Sequence, residues 1–188
     1  MKVVIGLGNP GTQYENTRHN VGFTALNYMA LEYGFSFKKK FLKPYEYATY
    51  NNSFLVKPLT YMNNSGQIIQ YIKNECSDLN DIVVICDNLD LPCGAVRVRF
   101  GGSNSGQKGL KSIQDNLGSS DFIRIYIGIG RPDFKSEINS YVLKRESRSL
   151  YRDELLNAIK TSSLIVHDFI NGTKIADLQN EYTRKGIS

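Results

Sequence analysis

The stretch GLGNPGTQYENTRHNVGF, residues 6–23, connects the first predicted strand to the first predicted helix. The strand is the β-branched run at residues 2–5, and the helix shows apolar residues at helical spacing from Leu26 to Tyr33. The stretch is therefore a long loop at the carboxyl end of a strand, where open α/β sheets bind their ligands. It concentrates asparagine, tyrosine, arginine and histidine.

The glycines of this loop form a dinucleotide-binding pattern that its surroundings do not support. Residues 6–11 spell G-x-G-x-x-G after a strand. In a true fingerprint the last glycine lies in the helix, whereas here Pro10 precedes it and the helical pattern starts only near Thr17, the predicted N-cap. The acidic residue expected about twenty positions later should end a second strand, but Glu32 falls inside the helix. We therefore expect no nucleotide cofactor.

His19 is the most informative residue of the loop, because the chain has only two histidines. His167 lies in an apolar helical stretch, where a structural role is expected. His19 falls in the first turn of a predicted helix, where the helix dipole disfavours the imidazolium and keeps a neutral base available. A histidine that packs against Phe23 one turn later would fit the same pattern. The residues alone leave both interpretations open.

Strands and helices alternate along the rest of the chain. Runs of apolar and β-branched residues predict a hairpin and three further strands, at residues 45–50, 53–56, 82–85, 95–100 and 122–129. Helical spacing predicts helices at residues 65–74, after the loop 101–105, and from about residue 149. This order predicts an α/β fold, a single three-layer domain over residues 1–188 with a central mixed sheet flanked by helices.

The last predicted helix carries several leucines and isoleucines at positions compatible with a buried face. Four of them are expected to face the core: Leu155, Leu156, Ile159 and Leu164.

Composition limits the class of protein without identifying it. The 23 Lys+Arg residues exceed the 18 Asp+Glu residues, and a net charge of +5 permits a nucleic-acid partner without requiring one. Three cysteines without C-x-x-C spacing support neither a disulfide framework nor a zinc site, so we expect them to be reduced and structural. The N-terminus leads directly into the first strand, and no apolar run approaches the ~20 residues of a membrane span. A cytoplasmic location is expected.

Five motifs, in order along nearly the whole chain, closely resemble bacterial peptidyl-tRNA hydrolases. They are GLGNPGTQYENTRHNVGF at 6–23, KPLTYMNNSG at 57–66, DNLDLPCG at 87–94, GGSNSGQKGLK at 101–111 and RIYIGIGRP at 124–132. The resemblance implies an enzyme that cleaves the ester between a peptide and the 3′-terminal ribose of tRNA. It further implies that no metal and no cofactor are needed.

The resemblance assigns three residues to the chemistry. His19 is implied to be the general base that takes a proton from water. Asp87, which ends a predicted buried strand, would hold the His19 imidazole in the correct tautomer and stabilise its imidazolium. Asn9 is implied to distinguish a peptide or blocked amine from a free amino group. A turn before Pro10 would also explain Asn9.

The same resemblance assigns residues to the tRNA. Tyr14 and Tyr61 match aromatic positions that contact the tRNA terminus, where unpaired bases commonly stack on aromatic rings. Asn63 matches a position that contacts the substrate and the tRNA end, although an asparagine there could instead cap a helix.

The chain departs from the family pattern at two places. Most members carry His-Asn before Gly-Leu-Lys, where this chain has Gln107 and Lys108. Lys108 and Lys111 would place two ammonium groups on one face at a helix N-terminus, which suits a phosphate as well as it suits two solvated lysines. Tyr126 stands where an arginine is common. The remaining candidates for the acceptor-stem backbone are Arg97, Arg99, Arg124, Arg131, Lys144 and Arg145.

Together these features predict a hydrolase whose partner is peptidyl-tRNA, bound at the acceptor stem and 3′ end. We expect a monomer with no obligate protein partner. The alternative is a non-catalytic RNA-binding relative of the same fold, and retention of His19, Asp87, Asn9 and Asn63 favours the enzyme.

Overall fold

The computed structural model describes residues 1–76, 81–145, 150–183 and 185–186. Within these residues the strands are β1 (Lys2–Gly6), β2 (Lys38–Lys39), β3 (Tyr45–Tyr50), β4 (Ser53–Pro58), β5 (Ile82–Asn88), β6 (Val96–Phe100) and β7 (Ile123–Gly128). They form one sheet in the order β2-β3-β4-β1-β5-β7-β6.

The inner part of the sheet is parallel and its margins are antiparallel. Strands β4, β1, β5 and β7 run parallel to one another, whereas β3 pairs antiparallel with β4, and β6 with β7. The predicted mixed sheet is therefore confirmed. Since the carboxyl ends of parallel strands lie at one edge, the loops that follow β1, β4 and β5 emerge side by side.

Helices cover both faces of the sheet. The α-helices are α1 (Val21–Tyr33), α2 (Ile69–Glu75), α3 (Lys108–Leu117), α4 (Ile138–Val142), α5 (Leu150–Ile170) and α6 (Ile175–Tyr182). One apolar core lies between the sheet and α1, α5 and α6, and contains Leu26, Ile125 and Ile159. A second core lies between the opposite face and α2 and α3, and contains Ile72 and Ile113. The predicted three-layer α/β architecture is confirmed.

Only two of the four residues of α5 that were predicted to face the core are buried. Leu155 and Ile159 are buried as expected, but Leu156 is 42% exposed and Leu164 is 47% exposed. These two leucines lie eight residues apart, about two helical turns, and share an outer stripe with Lys160. The prediction was wrong for them because consecutive residues such as Leu155 and Leu156 lie about 100° apart around a helix and do not share one face.

The N-terminus of α1 differs in detail from the prediction. Thr17 precedes a 3₁₀ turn, Arg18–Asn20, which runs directly into α1, so His19 lies just before the α-helix rather than in its first turn. The Thr17 hydroxyl donates to the Tyr14 carbonyl instead of capping the helix. Cys76, Cys86 and Cys93 are buried thiols. Among the described helices, none combines the length and apolar character needed to cross a membrane.

Candidate active site

The loop after β1 and the end of β5 meet at the carboxyl edge of the sheet, and the start of α1 packs against both. Gly22 makes this packing possible, because a Cβ atom on it would lie 2.5 Å from both the Ile85 oxygen and the Leu7 nitrogen. A larger residue would push α1 away from the sheet. The 3₁₀ turn that carries His19 is thereby held against the end of β5.

His19 and Asp87, 68 residues apart in sequence, form a hydrogen-bonded pair. Nδ1 of His19 lies 2.9 Å from Oδ2 of Asp87. The Asp87 side chain is 3% exposed, whereas that of His19 is 15% exposed. Because an ionised carboxylate only accepts hydrogen bonds, Nδ1 carries the proton and Nε2 is the basic nitrogen.

Gln107 completes the surroundings of Asp87. Its Nε2 donates to Oδ1 of Asp87 at 2.8 Å, and its Oε1 accepts from the backbone nitrogen of Leu110 at 2.9 Å. The side chain is buried at the N-cap of α3. Sequence reasoning treated Gln107 only as a departure from the family pattern and missed this contact.

Asn9 joins three segments of the site. Its Oδ1 accepts from the backbone nitrogen of Met62 at 2.8 Å, and its backbone is bonded at both polar groups by the side chain of Asn20. The oxygen of the Asn9 amide is thus occupied, so the group it offers to a ligand is the Nδ2 donor. The sequence analysis did not assign Asn20 to the site, although its position directly after His19 could have indicated it.

The two tyrosines assigned to the tRNA end lie together. The rings of Tyr14 and Tyr61 meet edge to face, with centroids 6.3 Å apart. Tyr61 is 56% exposed, and Asn63 is exposed two residues later on the 3₁₀ helix Met62–Ile68. These residues form an aromatic and polar surface beside Asn9.

The two lysines of the glycine-rich segment have different surroundings. Lys108 is exposed at the start of α3 and lines a cleft of about 90 Å³ with His19, Asp87 and Gln107. Lys111 instead binds Asp115 on the same helix, with Nζ 2.6 Å from Oδ2. The structure therefore brings Lys108 to the cleft, and Lys111 is not among its lining residues.

Arg99 is exposed on β6 and lines a groove of about 320 Å³ that also contains Arg97 and Tyr126. Tyr126 is buried, and burial raises the pKa of its phenol. Two other predicted arginines contact protein groups: Arg131 pairs with Asp90, and Arg145 donates to the Thr12 carbonyl.

Arg124 corrects the predicted set of tRNA contacts, because it has no exposed surface. Its Nη2 donates to the carbonyls of Gly102 and Ser120, and its guanidinium lies 4.3 Å from the centre of the Phe122 ring. Burial lowers the pKa of the guanidinium. The guanidinium is therefore held inside the protein by the backbone around Gly102 and Ser120, and Arg124 does not reach a ligand on the surface.

The segment that contains α4 covers one side of the cleft. Ile138, Asn139 and Val142 line the cleft together with Lys108. The segment is attached to the first loop by the stacking of Arg18 on Tyr141, at 3.8 Å from the ring centre, and by a bridge between Thr17 and Arg145. Sequence reasoning did not assign this cover.

No cluster of three or more histidine, cysteine, aspartate or glutamate side chains suited to a metal ion occurs within residues 1–76, 81–145, 150–183 and 185–186.

These features define the class of protein: a three-layer α/β fold with a hydrogen-bonded His–Asp pair at a cleft lined by loops. The family model described as peptidyl-tRNA hydrolase matches residues 3–187. This chain belongs to the peptidyl-tRNA hydrolase family.

Individual relatives agree with this assignment. The chain is 40% identical over 180 residues to a peptidyl-tRNA hydrolase of Neisseria gonorrhoeae, with 92% of each chain covered. It is 40% identical over 190 residues to one of Mycoplasma capricolum, with 97% of this chain and 100% of the relative covered. The crystal structure of the Acinetobacter baumannii peptidyl-tRNA hydrolase superposes with a TM-score of 0.88 at 28% identity, covering 99% of this chain and 96% of that one.

Proposed function

We propose that His19, oriented by Asp87, activates the water molecule that attacks the ester of peptidyl-tRNA. Peptidyl-tRNA hydrolysis itself follows from membership of the family. The observation that supports this mechanism is the hydrogen bond between the buried Asp87 carboxylate and Nδ1 of His19. It leaves Nε2 as the proton acceptor.

The reaction needs few groups, because an ester is a reactive carbonyl compound. Nε2 of His19 takes a proton from water while the water oxygen attacks the carbonyl carbon. Asp87 stabilises the imidazolium that forms, and the proton then passes to the departing ribose oxygen of the tRNA. We expect this chemistry to proceed without a metal ion or cofactor.

Asn9 suits recognition of the peptide near the ester. Its Oδ1 is held by the Met62 nitrogen, so its Nδ2 is directed as a donor toward an acceptor such as a peptide carbonyl. A free aminoacyl-tRNA carries an ammonium group, which offers no acceptor to this amide. The contact therefore favours peptidyl or N-blocked substrates.

The tRNA is proposed to lie across the aromatic and basic surface around the cleft. Tyr14 and Tyr61 would contact the unpaired 3′ end, with Asn63 beside them. Lys108 would contact a phosphate near the ester, and Arg99 the phosphate backbone of the acceptor stem. Lys111 is paired with Asp115 at the surface, so we expect it to contribute less than Lys108 to the tRNA contact.

We expect the enzyme to act as a cytoplasmic monomer with no obligate protein partner. The non-catalytic RNA-binding alternative receives no support, because the relatives reported above are peptidyl-tRNA hydrolases by name and His19 is paired with Asp87.

The test is release of free tRNA from an N-blocked aminoacyl-tRNA, measured beside the unblocked form and the His19→Ala variant. We expect hydrolysis of the blocked form only, and a loss of about 10²- to 10⁴-fold in kcat for the variant with tRNA affinity retained. His167→Ala is the matched control, because His167 is the other histidine and stacks on Tyr33 away from the cleft. Full activity of His19→Ala would refute the mechanism.

A further inference from the structure

We propose that Gln107 is a positioning residue: its side-chain amide fixes the Asp87 carboxylate, which in turn orients His19. This inference rests on the roles proposed above for Asp87 and His19. Gln107 itself is not expected to touch the substrate or the reacting water.

The orientation of the Gln107 amide follows from its partners. The backbone N–H of Leu110 can only donate, so the amide atom 2.9 Å from it is the oxygen, Oε1. The other terminal atom is therefore the nitrogen, and it lies 2.8 Å from Oδ1 of Asp87. Gln107 thus accepts a hydrogen bond from the helix backbone through Oε1 and donates one to the Asp87 carboxylate through Nε2.

Asp87 depends on this donor because its carboxylate is buried. Its two oxygens are divided between two partners: Oδ1 accepts from Gln107, and Oδ2 accepts from His19. A buried carboxylate oxygen that loses its donor is costly. The Gln107 bond also opposes rotation of the carboxylate, so Oδ2 stays directed at Nδ1 of His19.

The packing around Gln107 restricts its side chain to this arrangement. Nε2 lies 3.3 Å from the sulfur of Met62. Gly109 packs closely against the same group, because a Cβ atom there would lie 2.9 Å from Oε1 of Gln107 and 2.5 Å from the Met62 sulfur. The amide is therefore built into the site.

The length and chemistry of glutamine both matter for this role. A serine is a good helix N-cap but is too short to reach Asp87 as well. A glutamate has the length of glutamine and can cap the helix, but it presents an acceptor to the Asp87 carboxylate instead of a donor. These two substitutions separate the capping function from the contact with Asp87.

The experiment compares Gln107→Glu and Gln107→Ser with Gln114→Glu. Gln114 lies two turns further along α3 and bonds to the Gly102 carbonyl, so Gln114→Glu adds the same charge to the same helix without touching Asp87. We measure kcat and KM for an N-blocked aminoacyl-tRNA, the thermal unfolding of each variant, and the imidazole ¹H and ¹⁵N resonances. Only two histidines contribute to these spectra, and His167→Ala assigns them.

We expect both Gln107 variants to fold, to lose about 10- to 100-fold in kcat with KM changed less than twofold, and to lose the downfield Nδ1–H signal of His19. Gln114→Glu should match the wild type. Wild-type kcat in folded Gln107→Glu would overturn the proposal, as would a loss of rate with unchanged imidazole signals. The spectra do not depend on turnover, so a changed His19 signal together with an active His19→Ala would refute the catalytic mechanism and leave the positioning role intact.

Discussion

Asn20 binds the backbone of Asn9 at both of its polar groups. Oδ1 of Asn20 accepts from the Asn9 nitrogen, and Nδ2 of Asn20 donates to the Asn9 oxygen, each at 2.9 Å. Asn20 also follows His19 directly in the chain. The residue proposed to recognise the peptide and the residue proposed to activate water are thereby held in one rigid unit.

Asn20→Asp tests this unit, because it removes the donor to the Asn9 carbonyl and keeps the size of the side chain. Asn20 is buried, so we expect the free energy of unfolding to fall by about 1 to 3 kcal/mol and kcat to fall with it. Urea unfolding and tRNA release measure the two effects. Asn16→Asp, an equal change at an exposed position of the same loop, is the control. Equal stability and activity of the two variants would show that the pairing is dispensable.

Asp87→Asn should abolish most activity without unfolding the protein. The oxygen of the introduced amide would accept from Gln107, which turns the new amino group toward Nδ1 of His19 and forces the proton onto Nε2. We expect kcat to fall by about 10²- to 10⁴-fold, since the base is then in the wrong tautomer. Asp90→Asn, on the exposed loop that follows, should retain kcat. Retained activity of Asp87→Asn would contradict the orienting role.

Tyr14 and Tyr61 are expected to act together on the unpaired 3′ end of the tRNA. Stacking of a base on an aromatic ring contributes about 1 to 3 kcal/mol, so each change to leucine should weaken binding of deacylated tRNA by that order. Because the two rings are in contact, the double variant should lose less binding free energy than the sum of the losses in the two single variants. Tyr71→Leu, on α2, serves as the control. If the tyrosine variants lost equal affinity for tRNA with and without its 3′-terminal nucleotides, a contact with that end would be excluded.

Lys108→Gln and Lys111→Gln separate the two lysines of the glycine-rich segment. The logarithm of tRNA affinity falls linearly with the logarithm of salt concentration, by about 0.7 to 0.9 for each phosphate contact. We expect Lys108→Gln to reduce the slope of this salt dependence by the amount that corresponds to one phosphate contact. Lys111 is already hydrogen-bonded to Asp115, so Lys111→Gln should change the slope of the salt dependence little. Identical slopes for wild type and Lys108→Gln would remove Lys108 from the tRNA surface.

Arg99 and Arg124 are register partners on neighbouring strands with opposite environments. Arg99 is exposed and Arg124 is fully buried. Arg99→Met should therefore reduce the salt slope of tRNA binding by about 0.7 to 0.9, whereas Arg124→Met should leave the slope unchanged. Thermal unfolding of both variants shows whether the folded state is retained. A reduced slope for folded Arg124→Met would mean that its guanidinium reaches the tRNA.

Local chemistry explains why much of the fold could be predicted. The β-branched run before Gly6 and the apolar run before Asp87 are strands because their side chains suit a sheet buried on both faces. Ligand-binding side chains lie at the carboxyl ends of such strands, and the motif resemblance singled out His19, Asp87 and Asn9 at those ends. Their pairing across 68 residues was implied by the resemblance, and the structure supplies its distance.

The contacts that prediction missed join residues far apart in sequence. Periodicity could not show which leucines of α5 face outward, because Leu155 and Leu156 are equally apolar and only the packing of the helix distinguishes them. Arg124 looked like a surface charge, and its burial depends on the strands and loop around it.

The amino-acid sequence by itself determined most of the strands and helices, the family, and the residue types at the carboxyl edge of the sheet, since these depend on local patterns. Tertiary structure alone decided which groups hold the site in place. Gln107 supports Asp87, Asn20 supports Asn9, and Lys108 rather than Lys111 lines the cleft. Such hydrogen bonds require distances of about 3 Å between segments that only folding brings together.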